Sequence, residues 1–558
     1  MRIQSLMLAL LCATLPVLIS GASAAGTNDA WAQLDPRFRS HIEANFDRAV
    51  HATLRFESTE ARQAAEIAIR GGSQSGSIRI SASSRSLLEI EAPGEVVRRL
   101  MDTEGLVLVR RPIYPTPNDE ILSEGLADIF TEDWHALGVT GEGVTVVVLD
   151  SGFAGYEELL GSELPDTVGT RFENFFWGTS PHGTACAEIV HDIAPGAKIE
   201  LWQATTATQI MSLIDELIER DDVRVVNFSA GFPGVYPADG SSDLSQAVLE
   251  ASIAGITWIS SAGNFARRNW SGTVEDIDGD GILELDGVED FPIRSADGSA
   301  AVRVRWEDVW QKADHDIDLI LYDEDGAECD RAQTPQQGSG VPFEEVSCTT
   351  GSATLNLVDR QDAAGIRVWL YSEADLPGSV RQPAGSVSVP ADSFGSMAVA
   401  AIRPNGEIAG FSSHGPTDDG RIKPDIAAPT WVSTVSYGAG AFGGTSASAP
   451  HAAGFAALLH SIYPWAGAAE IQWLMEFWTE DKGEPGKDTI FGAGALRVDF
   501  PPIELDEPGT LVEPDPILTD PIEGAACSCD SSHTSGPYMP RLLLLIIAAG
   551  VVGSRRIG

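Results

Sequence analysis

The chain has 558 residues, too many for one compact hydrophobic core, and 43% of them are hydrophobic and 21% charged, as in folded proteins. We therefore expect several domains. Acidic residues outnumber Lys and Arg by 81 to 36, so the formal net charge at pH 7 is -45. A chain this acidic is repelled by phosphate groups and anionic lipids, which excludes nucleic acid as a partner.

The first 24 residues have the pattern of a secretory signal peptide. Arg2 precedes the apolar stretch "LMLALLCATLPVLISGA", and Ala22-Ser23-Ala24 forms a small-residue cleavage site. The alternative is a membrane anchor, but Pro16 and the small residues after it favour cleavage. We expect residues 1-24 to be removed and the mature protein to be exported.

Residues 25-118 alternate strand and helix patterns and predict a small α+β domain. The segments "SIRISAS" and "SLLEIEA" are typical strands, and "GEVVRRLMDT" is a short helix. The domain ends at "PIYPTPND", whose prolines favour an exposed linker that a peptidase could cut.

The segment 119-500 contains the pattern of an α/β domain, interrupted by an insert. Apolar strands such as "VTVVVLD", "VRVVNFSA" and "ITWISSAG" alternate with helical segments up to about residue 267, and the pattern resumes at "SMAVAAI". This alternation predicts a parallel sheet flanked by helices.

The insert, residues 268-384, changes to short strands and acidic turns, which predicts a β-sandwich. Cys329 and Cys348 lie in this strand-rich region, and an oxidising compartment would let them form a disulfide. Cys186 lies on an apolar helical face, where a small buried hydrophobic residue is the simpler interpretation than a reactive thiol.

Within the insert, "DIDGDGILELD" has the first half of a calcium-binding loop. Asp276, Asp278 and Asp280 alternate before Gly281, but Gly287 stands at the twelfth position, where such loops have a bidentate Glu. Two interpretations stay open: a structural calcium site, or an acidic turn that faces solvent.

The end of the chain divides into a linker and a tail. Residues 501-526 are acidic and proline-rich and predict an extended spacer. In the tail, residues 527-558, cysteines and small residues precede a short apolar stretch and the pair Arg555-Arg556. This arrangement resembles the C-terminal sorting tail of myxobacterial surface proteins, which implies a bacterial protein held at a membrane or cell surface. A frayed amphipathic end or a core helix is the alternative.

Four separated segments carry the residue types needed for nucleophilic catalysis. Ser446 lies in "GGTSASAPHAAG", and a serine hydroxyl needs a base, a group that orients the base, and donors for the oxyanion. Asp150 ends "VTVVVLD", His182 begins "HGTACAEIV", and Asn264 ends "ITWISSAGN". Each alone is usual for a turn or a helix cap, but the chain order Asp, His, Ser is that of subtilisin.

The blocks "VVVLDSG", "HGTACAEI", "SSAGN" and "GTSASAPHAAG" resemble the four signature blocks of the subtilisin-like serine peptidases, the subtilases. The resemblance covers about residues 138-267 and 385-500. It implies a subtilisin-like α/β fold and a secreted or surface-directed endopeptidase that acts on proteins or peptides. Ser446 would be the nucleophile, His182 the general base and Asp150 its orienting carboxylate, while Asn264 and the backbone N–H of Ser446 would bind the oxyanion.

The resemblance also assigns the surroundings of the nucleophile. Ser229, Ala230 and Gly231 would pair with the substrate backbone. Ala262 and Gly263 would wall the pocket for the residue before the cut, which we expect to be roomy because these side chains are small. We place Pro450 in the first turn of the nucleophile's helix, where no backbone donor is lost. Residues 25-118 resemble a subtilase propeptide, a folding template and inhibitor, with cleavage expected between Pro115 and Glu124.

Three alternatives follow from departures in the sequence. The block "GTSAS" is close to that of sedolisins, but those enzymes use Glu and Asp where this chain has His182 and Asn264. An α/β-hydrolase is disfavoured because the second glycine of its nucleophile elbow is absent.

The insert lies between Asn264 and Ser446, so it could overhang the cleft. A surface adhesion or binding protein on an inactive subtilase scaffold is the other function class. The proposed chemistry requires no cofactor.

Overall fold

A computed structural model describes residues 34-497 except 35, 47, 72-76, 113-115, 118-130, 173-179, 297, 337 and 339. The predicted signal peptide, the acidic linker and the sorting tail lie outside the described residues. Those that are described form an N-terminal antiparallel sheet, a central mixed sheet and an inserted antiparallel sheet.

The N-terminal sheet has four antiparallel strands in the order β2-β3-β1-β4. Its elements are α1 (Pro36–Ala44), β1 (Ala49–Phe56), α2 (Thr59–Gly71), β2 (Arg79–Ser84), β3 (Leu87–Pro93), α3 (Gly94–Leu100) and β4 (Leu106–Arg110). Apolar side chains of the helices and strands form one buried core, which includes Phe38, Leu54, Leu88 and Val97. The side chain of Leu87 is not part of this core and packs with buried side chains of the central domain.

The first half of the central domain alternates strands with helices. Its elements are β5 (Thr116–Pro117), α4 (Glu132–Ala136), β6 (Thr145–Asp150), a 3₁₀ helix (Tyr156–Leu159), β7 (Gly169–Phe172), α5 (His182–Ile193), β8 (Lys198–Gln203), α6 (Ala207–Ile218), β9 (Val223–Phe228), β10 (Ala230–Gly231), α7 (Asp243–Ile253) and β11 (Thr257–Ser261).

The second half follows the insert. Its elements are β21 (Ser396–Ile402), β22 (Ile426–Pro429), β23 (Val432–Thr434), β24 (Gly438–Phe442), α8 (Thr445–Ile462), α9 (Ala468–Phe477), β25 (Thr479–Glu480) and β26 (Ala495–Leu496).

The central sheet has the strand order β25-β26-β22-β21-β11-β9-β6-β8-β7. All neighbouring strands from β26 to β7 are parallel, and only β25 runs antiparallel. The strands are buried on both faces, as expected for a parallel sheet covered by helices. The α/β character predicted from the alternating pattern is therefore confirmed. Helix α8 is apolar all round and buried from Thr445 to His460, so it is a core helix.

The insert consists of nine strands. They are β12 (Asn269–Glu275), β13 (Ile282–Leu285), β14 (Phe291–Arg294), β15 (Ser299–Trp306), β16 (Asp316–Tyr322), β17 (Glu328–Ala332), β18 (Phe343–Thr349), β19 (Ser352–Gln361) and β20 (Arg367–Ser372). The strands pair in the order β17-β16-β19-β13-β12-β20-β15-β18, and β14 pairs with β19. The first and last strands of this order are therefore β17 and β18. A disulfide joins Cys329 of β17 to Cys348 of β18, so the sheet curls until its two ends meet around one apolar core.

Candidate active site

The candidate residues lie where neighbouring parallel strands end. Asp150 is the last residue of β6, Ser229 follows β9, and Asn264 comes three residues after β11. These strands are adjacent in the order β11-β9-β6, so their carboxyl ends meet at one edge of the sheet. From β6 the chain runs to β7 and β8, on one side of β6, and then crosses to β9 on the other side. Ligand sites of open α/β sheets form at such a reversal of strand order.

Asp150 and His182 form a buried hydrogen-bonded pair. Asp150 Oδ2 lies 2.7 Å from His182 Nδ1, and both residues are 2% exposed or less. The other carboxylate oxygen, Oδ1, accepts the backbone N–H of Ser151 at 2.7 Å, which fixes the carboxylate plane. Because an ionised carboxylate only accepts hydrogen bonds, Nδ1 carries the imidazole proton, and Nε2 is the atom that can take up another. The edge of the His182 ring packs against Phe442, with 5.5 Å between ring centroids.

Ser446 is the second residue of α8 and is fully buried. Its hydroxyl donates to the carbonyl oxygen of Ser229 at 3.0 Å. Cys186, one helical turn after His182, brings α5 to this point: its Sγ lies 3.6 Å from the Ser446 carbonyl oxygen and within 4.8 Å of ligand atoms of Asp150 and His182. For proton transfer, the Ser446 hydroxyl hydrogen must turn from Ser229 towards His182 Nε2.

Pro450 is the sixth residue of α8, so the prediction that it lies in the first turn was wrong. A proline has no N–H, and the helix bond it lacks is the one to the carbonyl oxygen of Ser446, four residues earlier. That oxygen instead accepts the hydroxyl of Ser229 at 3.1 Å and the thiol of Cys186. The proline therefore frees the nucleophile's carbonyl to bind neighbouring elements of the site.

Asn264 is held by the residue before the nucleophile. Its Oδ1 accepts the backbone N–H of Thr445 at 3.0 Å and the Thr445 hydroxyl at 3.1 Å. This leaves Nδ2 buried without a hydrogen-bond partner among the described residues. An amide donor that is fixed in place and unsatisfied suits an anion that forms only during a reaction.

The predicted substrate-binding strand is paired with another segment of the chain. Strand β10 is antiparallel to β5, with Ala230 opposite Pro117 and Gly231 opposite Thr116. β5 is Thr116–Pro117, the two residues of the predicted linker "PIYPTPND" that pair with this strand. Ala262 and Gly263, predicted to wall the same pocket, follow β11. The Gly263 N–H donates to the Thr445 hydroxyl at 3.2 Å.

The sequence did not single out Glu188, a buried carboxylate on α5. Its oxygens accept the backbone N–H groups of Val435 at 2.5 Å and Ser436 at 3.1 Å, in the turn between β23 and β24. Burial raises the pKa of Glu188. The contact ties the helix of His182 to the hairpin that leads into Ser446. The only available signal was one acidic residue within the apolar run "ACAEIV".

The three aspartates of the insert loop converge. Ligand atoms of Asp276, Asp278 and Asp280 lie within 4.8 Å of one another in the turn between β12 and β13. Burial and then the charges of Asp280, Asp278 and Asp290 raise the pKa of Glu289. The donor set is entirely oxygen, which suits a calcium ion.

Part of the chain matches a known family. Residues 366–494 match the Peptidase_S8 model of the subtilase family, a segment that includes Ser446 and begins after Asp150, His182 and Asn264. Over 120 residues the chain is 41% identical to a thermostable alkaline protease of Halalkalibacterium halodurans. That match covers 21% of this chain and about 30% of the relative's length. The chain therefore resembles subtilases over part of its length, residues 366–494.

Two solved structures are similar at low identity. The Clostridium perfringens CspB protease gives a TM-score of 0.43 at 17% identity, covering 66% of this chain and 96% of that one. A lanthipeptide protease gives a TM-score of 0.38 at 16% identity, covering 66% of this chain and 91% of that one.

Proposed function

We propose that this protein is a serine endopeptidase that hydrolyses peptide bonds through an acyl-enzyme on Ser446. The observation that carries the proposal is the unsatisfied Nδ2 of Asn264, held by Thr445 beside the nucleophile, with the buried Asp150–His182 pair at the same edge of the sheet. A general base, a nucleophile and an oxyanion donor are together what acyl transfer requires.

The reaction divides among these residues as follows. Ser446 Oγ attacks the carbonyl carbon while its proton passes to His182 Nε2, and Asp150 stabilises the imidazolium. The backbone N–H of Ser446 and Asn264 Nδ2 donate to the oxyanion. When the carbon–nitrogen bond breaks, the leaving amine takes the proton from His182. Water, deprotonated by the same imidazole, then releases the acyl group and restores Ser446.

The N-terminal domain would act as a propeptide. The support is the pairing of Thr116 and Pro117 with the substrate strand β10. This strand lies beside the nucleophile, because the carbonyl oxygen of Ser229, the residue before β10, is 3.0 Å from Ser446 Oγ. Self-cleavage is expected between Pro115 and Glu124.

Calcium would be a structural ligand of the insert. Asp276, Asp278 and Asp280 supply the carboxylates, and the chemistry at Ser446 involves no metal. The test is thermal unfolding with calcium and with a chelator: added calcium should raise the Tm of the wild type and leave that of Asp278→Ala unchanged. An equal response of both proteins would reject the site.

Export and surface attachment follow from the two ends of the chain, the proposed signal peptide 1-24 and the tail 527-558. Within the described part of the chain, no helix has the length and apolar character needed to cross a membrane. Fractionation of the producing cells, with and without residues 527-558, tests the attachment: loss of the tail should release the protein into the medium.

The decisive experiment for the activity is labelling with a fluorophosphonate, which reacts with an activated serine. The mature wild type should form one adduct, located at Ser446 by mass spectrometry, and Ser446→Ala should form none. Ser448→Ala is the matched control, because Ser448 is equally buried in α8 but donates to the Pro429 carbonyl oxygen instead. If the mature wild type is not labelled, the inactive surface-binding protein is the better interpretation.

A further inference from the structure

The pocket for the substrate residue before the cut lies between two backbone walls. One wall is Ser229–Gly231, whose first carbonyl oxygen is 3.0 Å from the nucleophile, and the other is Ala262–Gly263, which leads to Asn264. A substrate strand paired with β10 would direct this side chain between the walls, because successive side chains of a strand point to opposite faces. What the pocket accepts therefore depends on what lies at its base.

The base is occupied by Ser388. Its backbone N–H donates to the Ala262 carbonyl oxygen at 3.1 Å, and the next residue accepts the Phe232 N–H at 2.8 Å, so the segment is bonded to both walls. A Cβ atom on Gly231 would overlap the Ser388 hydroxyl, and one on Gly263 would lie 3.2 Å from it. The hydroxyl therefore fills the space between the two glycines, in contrast to the roomy pocket expected from the wall residues alone.

A second layer behind Gly263 involves the insert. A Cβ on Gly263 would lie 2.9 Å from Cδ2 of Phe265, whose ring packs edge-on against Tyr371 with 6.1 Å between centroids. Tyr371 belongs to β20 of the insert and donates to the Gly385 carbonyl oxygen at 3.2 Å. Both rings are buried, so Phe265 cannot move away from the pocket unless Tyr371 also moves.

We infer that this pocket selects small residues, Gly, Ala or Ser, before the cleaved bond, and that the insert maintains this selectivity by holding Phe265 in place. The inference rests on the proposed peptidase function. A larger side chain would have to displace Ser388, which is held by its own bond to Ala262 and by the bond of the next residue, Val389, to Phe232, so discrimination of about tenfold or more is expected.

The test measures kcat/KM for peptides that differ only in the residue before the cut: Gly, Ala, Ser, Leu, Phe and Lys. For the wild type we expect Ala to exceed Phe at least about tenfold. Ser388→Gly should lower this Ala-to-Phe ratio about tenfold, and Ser388→Thr should raise it. The ratio within one variant does not depend on the fraction of folded enzyme, so a loss of stability does not obscure the result.

Two tyrosine variants test the role of the insert. Tyr371→Ala should lower the Ala-to-Phe ratio by releasing Phe265, whereas Tyr322→Ala, in β16 of the same insert, should leave it unchanged. A wild type that cleaves after Phe or Leu as readily as after Ala would overturn the inference, as would an unchanged ratio in Ser388→Gly. Failure of the proposed function is recognised separately, because Ser446 would then not react with the fluorophosphonate.

Discussion

The orientation of Asn264 depends on Thr445. Both hydrogen bonds to Asn264 Oδ1 come from Thr445, and the backbone one also orients the turn before Ser446. The donor and the nucleophile are therefore positioned by one residue, and the reaction need not reorganise them.

Asn264→Ala should lower kcat about 10²–10³-fold with little change in KM, because the donor acts only on the oxyanion. This corresponds to about 2.7–4 kcal/mol, the range found when subtilisin loses its side-chain donor. Asn264→Asp, which keeps the shape but loses the N–H, should be impaired similarly. Steady-state kinetics check both variants, and a kcat within about threefold of the wild type would contradict the role.

At this scale the sequence can single out a residue where its type forms part of a motif. The blocks around Asp150, His182 and Ser446 predicted these residues, and the structure places them at one edge of the sheet. Ser388 and Glu188 could not be found in this way. Each acts through contacts with segments far along the chain, and a serine or glutamate has many other uses.

Among the elements, the central strands were the most predictable. Continuous apolar runs that end in polar residues specify buried parallel strands, and their carboxyl ends meet wherever the strands are neighbours. The insert was predicted as a β-sandwich, without its strand order or its contacts with the central domain. Its attachment depends on Arg305 of β15, whose guanidinium lies 2.8 Å from the Asp418 carboxylate and 3.9 Å above the Trp369 ring. Such long-range partners leave no periodic signal in the sequence.

The N-terminal sheet docks on α6 through a few specific contacts. Leu87 packs with buried residues of the central domain, and the fully buried Glu89 accepts the hydroxyl of Thr206, the N-cap of α6, at 2.7 Å. Leu87→Ala should shorten, several-fold, the lag before peptidase activity develops, because the cleaved domain would dissociate sooner. Continuous assay of the maturing protein measures the lag.

Ile67→Ala is the matched control for Leu87→Ala. Ile67 lies on α2 of the same domain and is 72% exposed, so its removal takes away no contact with α6. The two variants should differ in lag, and the control should match the wild type. Equal lags for wild type and Leu87→Ala would mean that this contact does not limit release of the domain.

At the scale of the whole molecule, burial raises the pKa of carboxylates, so their protonation changes at a higher pH than in the unfolded chain. Asp392, four residues after Ser388, is completely buried. It accepts the Gly240 N–H at 2.7 Å and the hydroxyl of Ser245, a residue of α7, at 2.8 Å. Burial raises the pKa of Asp392 to about 7, although its hydrogen bonds and the nearby positive charges of Arg421 and Lys423 lower it.

Because the pKa of Asp392 is raised in the folded state, the free energy of unfolding should decrease as the pH rises. The folded state binds this proton more tightly than the unfolded chain, so the stabilisation is complete below about pH 4 and is lost as the pH rises through about 7. A tenfold change in proton affinity is worth about 1.4 kcal/mol, so the loss amounts to a few kcal/mol. Asp392→Asn should abolish this part of the pH dependence, and thermal unfolding at pH 4–8 in a Ser446→Ala background measures it.

Asp239→Asn, at a nearby carboxylate that is only half-buried, is the control and should follow the pH dependence of the parent protein. Asp316 is also buried and contributes with the same sign, since burial raises its pKa to about 6. The comparison between variants isolates Asp392. If Asp392→Asn and its parent lose stability in parallel from pH 4 to pH 8, Asp392 does not titrate in this range.

The pairing of β5 with β10 has a consequence for how activity would begin. The segment across the cleft belongs to the same chain as the cleft, so it competes with substrates at an effective local concentration that dilution cannot lower. Exporting the protein into a large volume would therefore not by itself switch it on. Only cutting the tether makes the blocking segment a separate molecule, and from then on dilution favours the open site.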